Sequence, residues 1–365
     1  MTRSLRSLLA RIGRRVPRRR PIGPGMALYL LSPAIAELCS GSTPLLSYWF
    51  FWPVLCLMYG GGAILIREAA VRWGKGWPTI LALGVAYGIA EEGIAVRTFF
   101  DPTAPQVQSM GDWGWAGGAN WPWITHLSLF HSVISIAVPI FLVMLAYPER
   151  RTERWVSRRW LARAVIGYVG VELFWLLAYQ RPVAGGYMVA SLVVIGALVL
   201  LARVLPASIG GIGGPAPVSL GQRLPLLSPA AAARAPSPRR VALVAFAAIT
   251  ATFAVAWSRG FGGSPAAAVV AMVVIAAAAG WWFVRASRRH GWNDRHRYAI
   301  AAGLLAFLPL ISPLVELQGG RGELIVGLVL AGLLRRTWVR LRDRVAVSGS
   351  ATATVSAGET ATAAS

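Results

Sequence analysis

Ten apolar runs dominate this sequence: 24–41, 45–66, 77–99, 121–147, 163–180, 183–203, 241–257, 265–284, 299–318 and 322–338. A helix rises about 1.5 Å per residue, so a run of roughly 20 residues spans the hydrocarbon core of a bilayer. The other structure that can span a membrane is a closed barrel, and its strands alternate apolar and polar residues. These runs are continuous instead. The expected fold class is therefore all-α, a polytopic helical membrane protein of about ten transmembrane helices. Only 14% of the 365 residues are charged, against about 25% in soluble domains.

The formal net charge of +22 would suit a nucleic-acid partner if the positives were spread over a surface. They cluster instead at the ends of the apolar runs, so no nucleic-acid partner is expected. Placing the N-terminus in the cytoplasm puts the arginine-rich loops on one side at every turn, including "ERRTERWVSRRWLAR", "RASRRHGWNDRHR" and "RRTWVRLRDR". The acidic, base-free loop "DPTAPQVQSMGDWGWAGGA" then falls outside. The positive-inside rule thus sets both termini in the cytoplasm. The expected location is the cell membrane, as a multi-pass protein of a bacterial or archaeal plasma membrane. Cys39 and Cys56 form no metal or redox spacing and read as packing residues.

Five regions follow. Residues 1–23 hold eight arginines and no acid, a basic cytoplasmic segment suited to anionic lipid. Residues 24–203 form a membrane domain of six helices. Residues 204–240 are rich in Pro, Gly and Ala and read as a cytoplasmic linker. Residues 241–338 form a four-helix membrane region, and 339–365 a basic and then disordered tail. "LISPLVELQGG" echoes "LLSPAIAELCSG" of the first run, but one local echo does not make a repeat.

An ionised carboxylate in hydrocarbon is costly, and such residues face protein or a water-filled cavity. Six of the fourteen acids lie in or at the edge of the apolar runs: Glu37, Glu68, Glu91, Glu92, Glu172 and Glu316. Glu68, beside Arg67, reads as a solvated interfacial charge; Glu316 and Glu323 read as surface. His290 and His296 read as charge in a basic loop. The adjacent pair Glu91 and Glu92 is the candidate site. At 100° per residue it shares a helix face with Gly84, Gly88 and Ala95, and two glycines four apart permit close helix contact. Glu92 lies roughly 10 Å below the outer end of its run, and His131 about 15 Å below the outer end of the next. Ser128, His131, Ser132 and Ser135 share one face. His126 points about 140° away from His131. Glu37 is also in the outer half, and Asn120 with the tryptophan-rich "WGWAGGANWPW" would cover the site from outside. Two carboxylates and a histidine can hold a divalent metal or activate water, relay protons, or form a hydrogen-bonded structural cluster.

The pair "EE", Arg97 shortly after it and His131 on the next helix resemble the CPBP (CAAX-processing and Abi-type) intramembrane proteases over about residues 80–140. Arg97 stands one residue later than in that family's EExxxR, Leu127 replaces the Phe of FxxxH, and no later run carries a histidine. The resemblance implies peptide-bond hydrolysis by a glutamate-activated water. Glu91 would be the activating base, Glu92 and His131 the ligands of a divalent metal such as zinc, and the substrate a membrane-embedded peptide. Arg97, Asn120, Glu37 and His126 would support them. The first half also resembles polytopic prokaryotic membrane proteins of no assigned function. A proton- or ion-coupled transporter and a non-enzymatic membrane scaffold remain open as alternatives.

Overall fold

The computed structural model describes residues 21–105, 107–179, 183–207, 233–261, 263–319 and 321–341. Most of the linker, the first 20 residues and the tail beyond 341 lie outside them.

Every apolar run forms a helix. α1 covers Pro24–Pro33 and continues through Ala34–Leu38; α2 is Leu45–Arg72, and α3 Trp77–Ile89 continuing through Ala90–Ala95. α4 is Trp121–Ala146, α5 Arg158–Ala178, α6 Gly185–Val204, α7 Pro238–Ala256, α8 Pro265–Ser287 and α9 Asp294–Leu317. α10 covers 323–341. Seven of these, α2 and α4 to α9, are long and apolar enough to cross a membrane.

The helix starts are written locally. Asn120, Ser157 and Ser237 each accept a backbone N–H three residues on, at the starts of α4, α5 and α7. Such a side chain satisfies one of the amides that a helix start leaves without a partner. Asn293 and His296 form a reciprocal capping box at the start of α9. That box buries His296, which the sequence assigned to a solvated basic loop. Within α9, Pro313 cannot donate to the Pro309 carbonyl, and Ser312 Oγ donates to it instead at 3.0 Å.

Two cores meet at α4. Its Ile136, Ile140 and Val143 pack with α1, α2 and α3. Its Phe130, Ile134, Val138 and Phe141 pack with α7, α8 and α9. By contrast α5, α6 and α8 leave Ile166, Leu177, Val193, Leu200 and Val270 exposed. Apolar area of that extent is stable only against lipid or a partner.

Loops that the arginine pattern assigns to one side meet one another. At the end of the bundle where α1 begins, Tyr147 donates to the Ile22 carbonyl at 2.7 Å, and Arg151 pairs with Asp294 at 2.7 Å. At the other end Trp113 donates to the Gly263 carbonyl at 2.7 Å.

Two acids sit elsewhere than the sequence suggests. Glu68 is 1% exposed, not solvated. α2 runs on to Arg72, and the loop after α4 folds back over its end. There Glu68 accepts from Arg67 at 2.7 Å, from Arg72 at 3.1 Å and from the Trp155 amide at 2.8 Å. The Arg67 guanidinium lies 3.6 Å over the Trp155 ring. Glu323 is likewise buried, beside Gly41 at the outer end of α1. Glu316 is half-buried and accepts the Gly322 and Leu324 amides, at 3.2 and 3.0 Å, at the start of α10.

Candidate functional site

α3 and α4 approach more closely than side chains normally allow. A Cβ on Gly84 would stand 2.8 Å from Ser132 Cα, and one on Gly88 3.0 Å from His131 Cβ. The glycine face thus receives the serine and histidine face directly. Ser132 Oγ reinforces the contact by donating to the Leu81 carbonyl at 2.8 Å.

Four segments leave α-helical hydrogen bonding for the wider π pattern: Ala34–Leu38, Cys56–Gly60, Ala90–Ala95 and His131–Ala137. Among the described residues these are the π segments, and each contributes to one cluster. They carry Glu37, Tyr59, Glu91 with Glu92, and His131 with Ser135. π turns are uncommon and recur at functional sites.

The cluster is connected. Tyr59 Oη lies 2.5 Å from Glu37 Oε1 and 2.5 Å from Glu91 Oε1. Thr43 donates to the other Glu37 oxygen at 2.5 Å. His131 Nδ1 is 3.4 Å from Glu91 Oε2 and 3.2 Å from Ser135 Oγ, while its Nε2 is 3.5 Å from Glu92 Oε1. Thr98 donates to Glu92 Oε2 and accepts from the Trp123 indole at 3.1 Å. The Tyr59 ring stacks on the His131 imidazole at 6.2 Å. Glu91, His131, Tyr59 and Tyr87 are all buried.

Tyr59, Tyr87, Thr98 and Trp123 were not singled out from the sequence as site residues. A tyrosine in mid-span is the signal for Tyr59, but apolar packing alone would account for it. Glu172 also comes to the edge of the cluster. It lies one turn from Tyr168 on α5, whose ring is 5.8 Å from Tyr87.

The supporting residues divide. Glu37 joins the cluster. His126 does not: it faces the other side of α4, edge-on to Phe253 at 4.6 Å. Arg97 takes φ 62, in the left-handed region, just past the end of α3. Its guanidinium donates to the Leu176 carbonyl at 2.5 Å, in the last turn of α5, where carbonyls lack helical partners. Asn120 commits its amide to the outer loop. Its Oδ1 accepts the Trp123 amide and its Nδ2 donates to the Trp113 carbonyl, each at 3.0 Å.

That loop forms a cap. A two-residue ribbon pairs Trp115–Ala116 with Ala119–Asn120, and Phe99, Ala104, Val107, Met110 and Trp123 pack beneath it. The indoles of Trp113, Trp115, Trp121 and Trp123 donate within this outer region. These four indoles pin the cap.

One ligand atom each from Glu91, Glu92 and His131 falls within 4.8 Å of the others. Glu91 Oε2 and His131 Nε2 are buried and make no hydrogen bond; their polar neighbours are His131 Nδ1 at 3.4 Å and Glu92 Oε1 at 3.5 Å. Two carboxylates and an imidazole are a donor set that divalent zinc or a similar ion accepts. Three protein donors, short of a closed tetrahedron, leave a position for water.

Fold and site together define a polytopic α-helical membrane protein with a buried Glu/Glu/His cluster under an aromatic cap. The model of an uncharacterised membrane protein family matches residues 26–312, and the chain belongs to that family. No curated protein and no solved structure matches it.

Proposed function

We propose that the chain is an intramembrane hydrolase that cleaves a membrane-embedded peptide with a water held by Glu91, Glu92 and His131. The observation that carries this reading is the grouping of Glu91, Glu92 and His131, each offering one ligand atom within 4.8 Å of the others. Glu91 Oε2 and His131 Nε2 make no hydrogen bond and are held only by the longer contacts of 3.4 and 3.5 Å, so a ligand there would complete their bonding. A divalent ion bound there would polarise water and lower its pKa.

The protein's own groups do the rest. Glu91 takes the proton from the water as general base while the water oxygen bonds to the peptide carbonyl carbon. It returns that proton to the departing amine nitrogen as the C–N bond breaks. Tyr59 on Glu91 Oε1 and Ser135 on His131 Nδ1 fix the orientation of base and ligand. Thr98, itself held by Trp123, does the same for Glu92. The resemblance to CPBP proteases supplies the reaction class.

The test is metal content by elemental mass spectrometry together with cleavage of a membrane peptide. About one divalent ion per chain is expected, falling at least tenfold in His131→Ala, and cleavage is expected to vanish in Glu91→Gln. An ion-free wild type whose processing is indifferent to Glu91→Gln would overturn the proposal.

One observation favours a second reading, proton-coupled transport. The Tyr59 hydroxyl has one hydrogen to give and two carboxylates at 2.5 Å to receive it, so the row can pass a proton between Glu37 and Glu91. Flux in proteoliposomes that follows pH and disappears in Tyr59→Phe would select it.

A further inference from the structure

A cavity of about 610 Å³ lies between α3, α4, α7, α8 and α9. It is separate from the Glu/His centre, none of whose residues lines it. Its wall on α4 runs from His126 to Phe141, about 22 Å along the helix axis. A volume of that size drawn out over that length is a narrow slot, suited to one hydrocarbon chain. Leu81 of α3 and Trp281 of α8 line it and are themselves exposed, so the slot opens sideways to where lipid would lie.

The lining is apolar apart from Thr252, His126 and the indole N–H groups of Trp77 and Trp281. Thr252 Oγ1 is already used, donating to the Ala248 carbonyl at 2.8 Å. His126 is 4% exposed, and its Nδ1 has no hydrogen-bond partner among the described residues. Water does not suit the slot, because a buried water needs two to four polar partners. Ligand sites of this volume are mostly apolar, with a few placed polar groups that fix orientation. His126 sits about 8 Å below the outer end of α4, the depth just inside a lipid headgroup.

We propose that the slot holds one acyl chain of a glycerolipid from the outer side of the bilayer, its ester carbonyl accepting a hydrogen bond from His126 Nδ1. The chain would lie against Val133, Ala137 and Val138, on the back of the helical stretch that carries His131. This does not depend on hydrolysis at Glu91.

Native mass spectrometry of the detergent-purified protein, with lipid identified by fragmentation, tests it. About one glycerolipid per chain is expected to survive delipidation. Ala276→Trp, which fills the slot, is expected to lower retention at least fivefold. His126→Phe, which keeps the ring packing on Phe253 and removes the nitrogen, is expected to lower it about threefold with unchanged helix content. The His126→Phe result decides the matter if Ala276→Trp fails to fold. Absence of retained lipid, retention unaffected by His126→Phe, or a fatty acid or prenyl quinone in place of the glycerolipid would overturn it.

Discussion

The helices α1–α4 and α7–α10 solve the same packing problem and differ in what their polar groups bridge. Both use small residues for close approach: Gly84 and Gly88 against α4, and Gly303 against Ala242 and Ala245 of α7. Tight packing therefore does not set them apart. In α7–α9, Thr252, Ser287 and Ser312 each donate to a carbonyl of their own helix three or four residues back. In α1–α4 Ser32 and Thr125 bond locally too. The cross-helix bonds there, however, tie ionisable side chains to one another, Tyr59 to Glu37 and Glu91, with Ser132 reaching Leu81. The cross-helix bonds of α9 to α10 engage backbone instead: Tyr298 donates to the Leu334 carbonyl, and the Gly322 and Leu324 amides donate to Glu316. A local bond satisfies a group and ends there. A cross-helix bond between ionisable side chains ties the position of one helix to the protonation or ligand state of another, which chemistry requires. The π segments fall on the same side of this division. We read α1–α4 as the working half and α7–α10 as its wall.

The largest test of that division is Glu91→Gln against Glu316→Gln. Loss of a general base costs about 10²–10⁴-fold in turnover, so peptide cleavage is expected to fall by that much in the first variant. It is expected to stay unchanged in the second, whose carboxylate only accepts amides at the start of α10. Equal loss in both would erase the distinction between the halves.

Next in size is the pair of buried and exposed ion pairs. Glu68→Gln leaves Arg67 buried and uncompensated, and breaking a buried pair from one side costs about 3–5 kcal/mol. Asp294→Asn loosens pairs to Arg151 and Arg297 at a carboxylate that is 40% exposed, where about 1 kcal/mol or less is expected. Denaturant titrations in detergent followed by circular dichroism compare them. A Glu68→Gln protein as stable as Asp294→Asn would show that the inner loop is not locked to α2.

Gly84→Ala and Gly332→Ala come third. The new methyl at Gly84 meets the Ser132 backbone, and overpacking costs about 1–3 kcal/mol. At Gly332 nothing lies within 4 Å, so alanine's helix propensity is expected to stabilise by up to about 1 kcal/mol. Midpoints shifting in the same direction would count against the α3–α4 contact.

Much of the working half was legible in the sequence. Helical periodicity alone brings Gly84, Gly88, Glu91 and Glu92 onto one face and His131 opposite them, and the structure joins those faces. The rest was hidden for two physical reasons. The first is that a π turn changes the residue spacing, so a 100° wheel loses register beyond Ile89. Arg97, placed near the site by motif spacing, instead follows a helix that stops at Ala95 and turns toward Leu176. The second is that burial depends on contacts distant in sequence. Glu68 is covered by Trp155, 87 residues later, and Tyr59 finds Glu91 32 residues on. Periodicity within one run cannot report either contact.

The smallest test isolates the distinction between local and cross-helix bonds in its barest form, one hydroxyl in each half. Ser132 Oγ donates to Leu81 across the α3–α4 contact at 2.8 Å, and Thr252 Oγ1 donates within α7 at 2.8 Å. The bond lengths match, so bond strength alone predicts equal effects. Interhelical hydrogen bonds in membrane proteins contribute about 0.6 kcal/mol on average and at most about 1.7. Ser132→Ala is expected to lose that amount, because the bond holds two helices in register. Thr252→Val keeps its side-chain shape, and Ala248 keeps its α-helical amide partner, so a change within about 0.5 kcal/mol is expected. Unfolding of both variants under one detergent condition gives the difference directly. A Thr252→Val loss as large as that of Ser132→Ala would mean that polar groups in the two halves do the same work, and the division into a working half and a wall would fall with it.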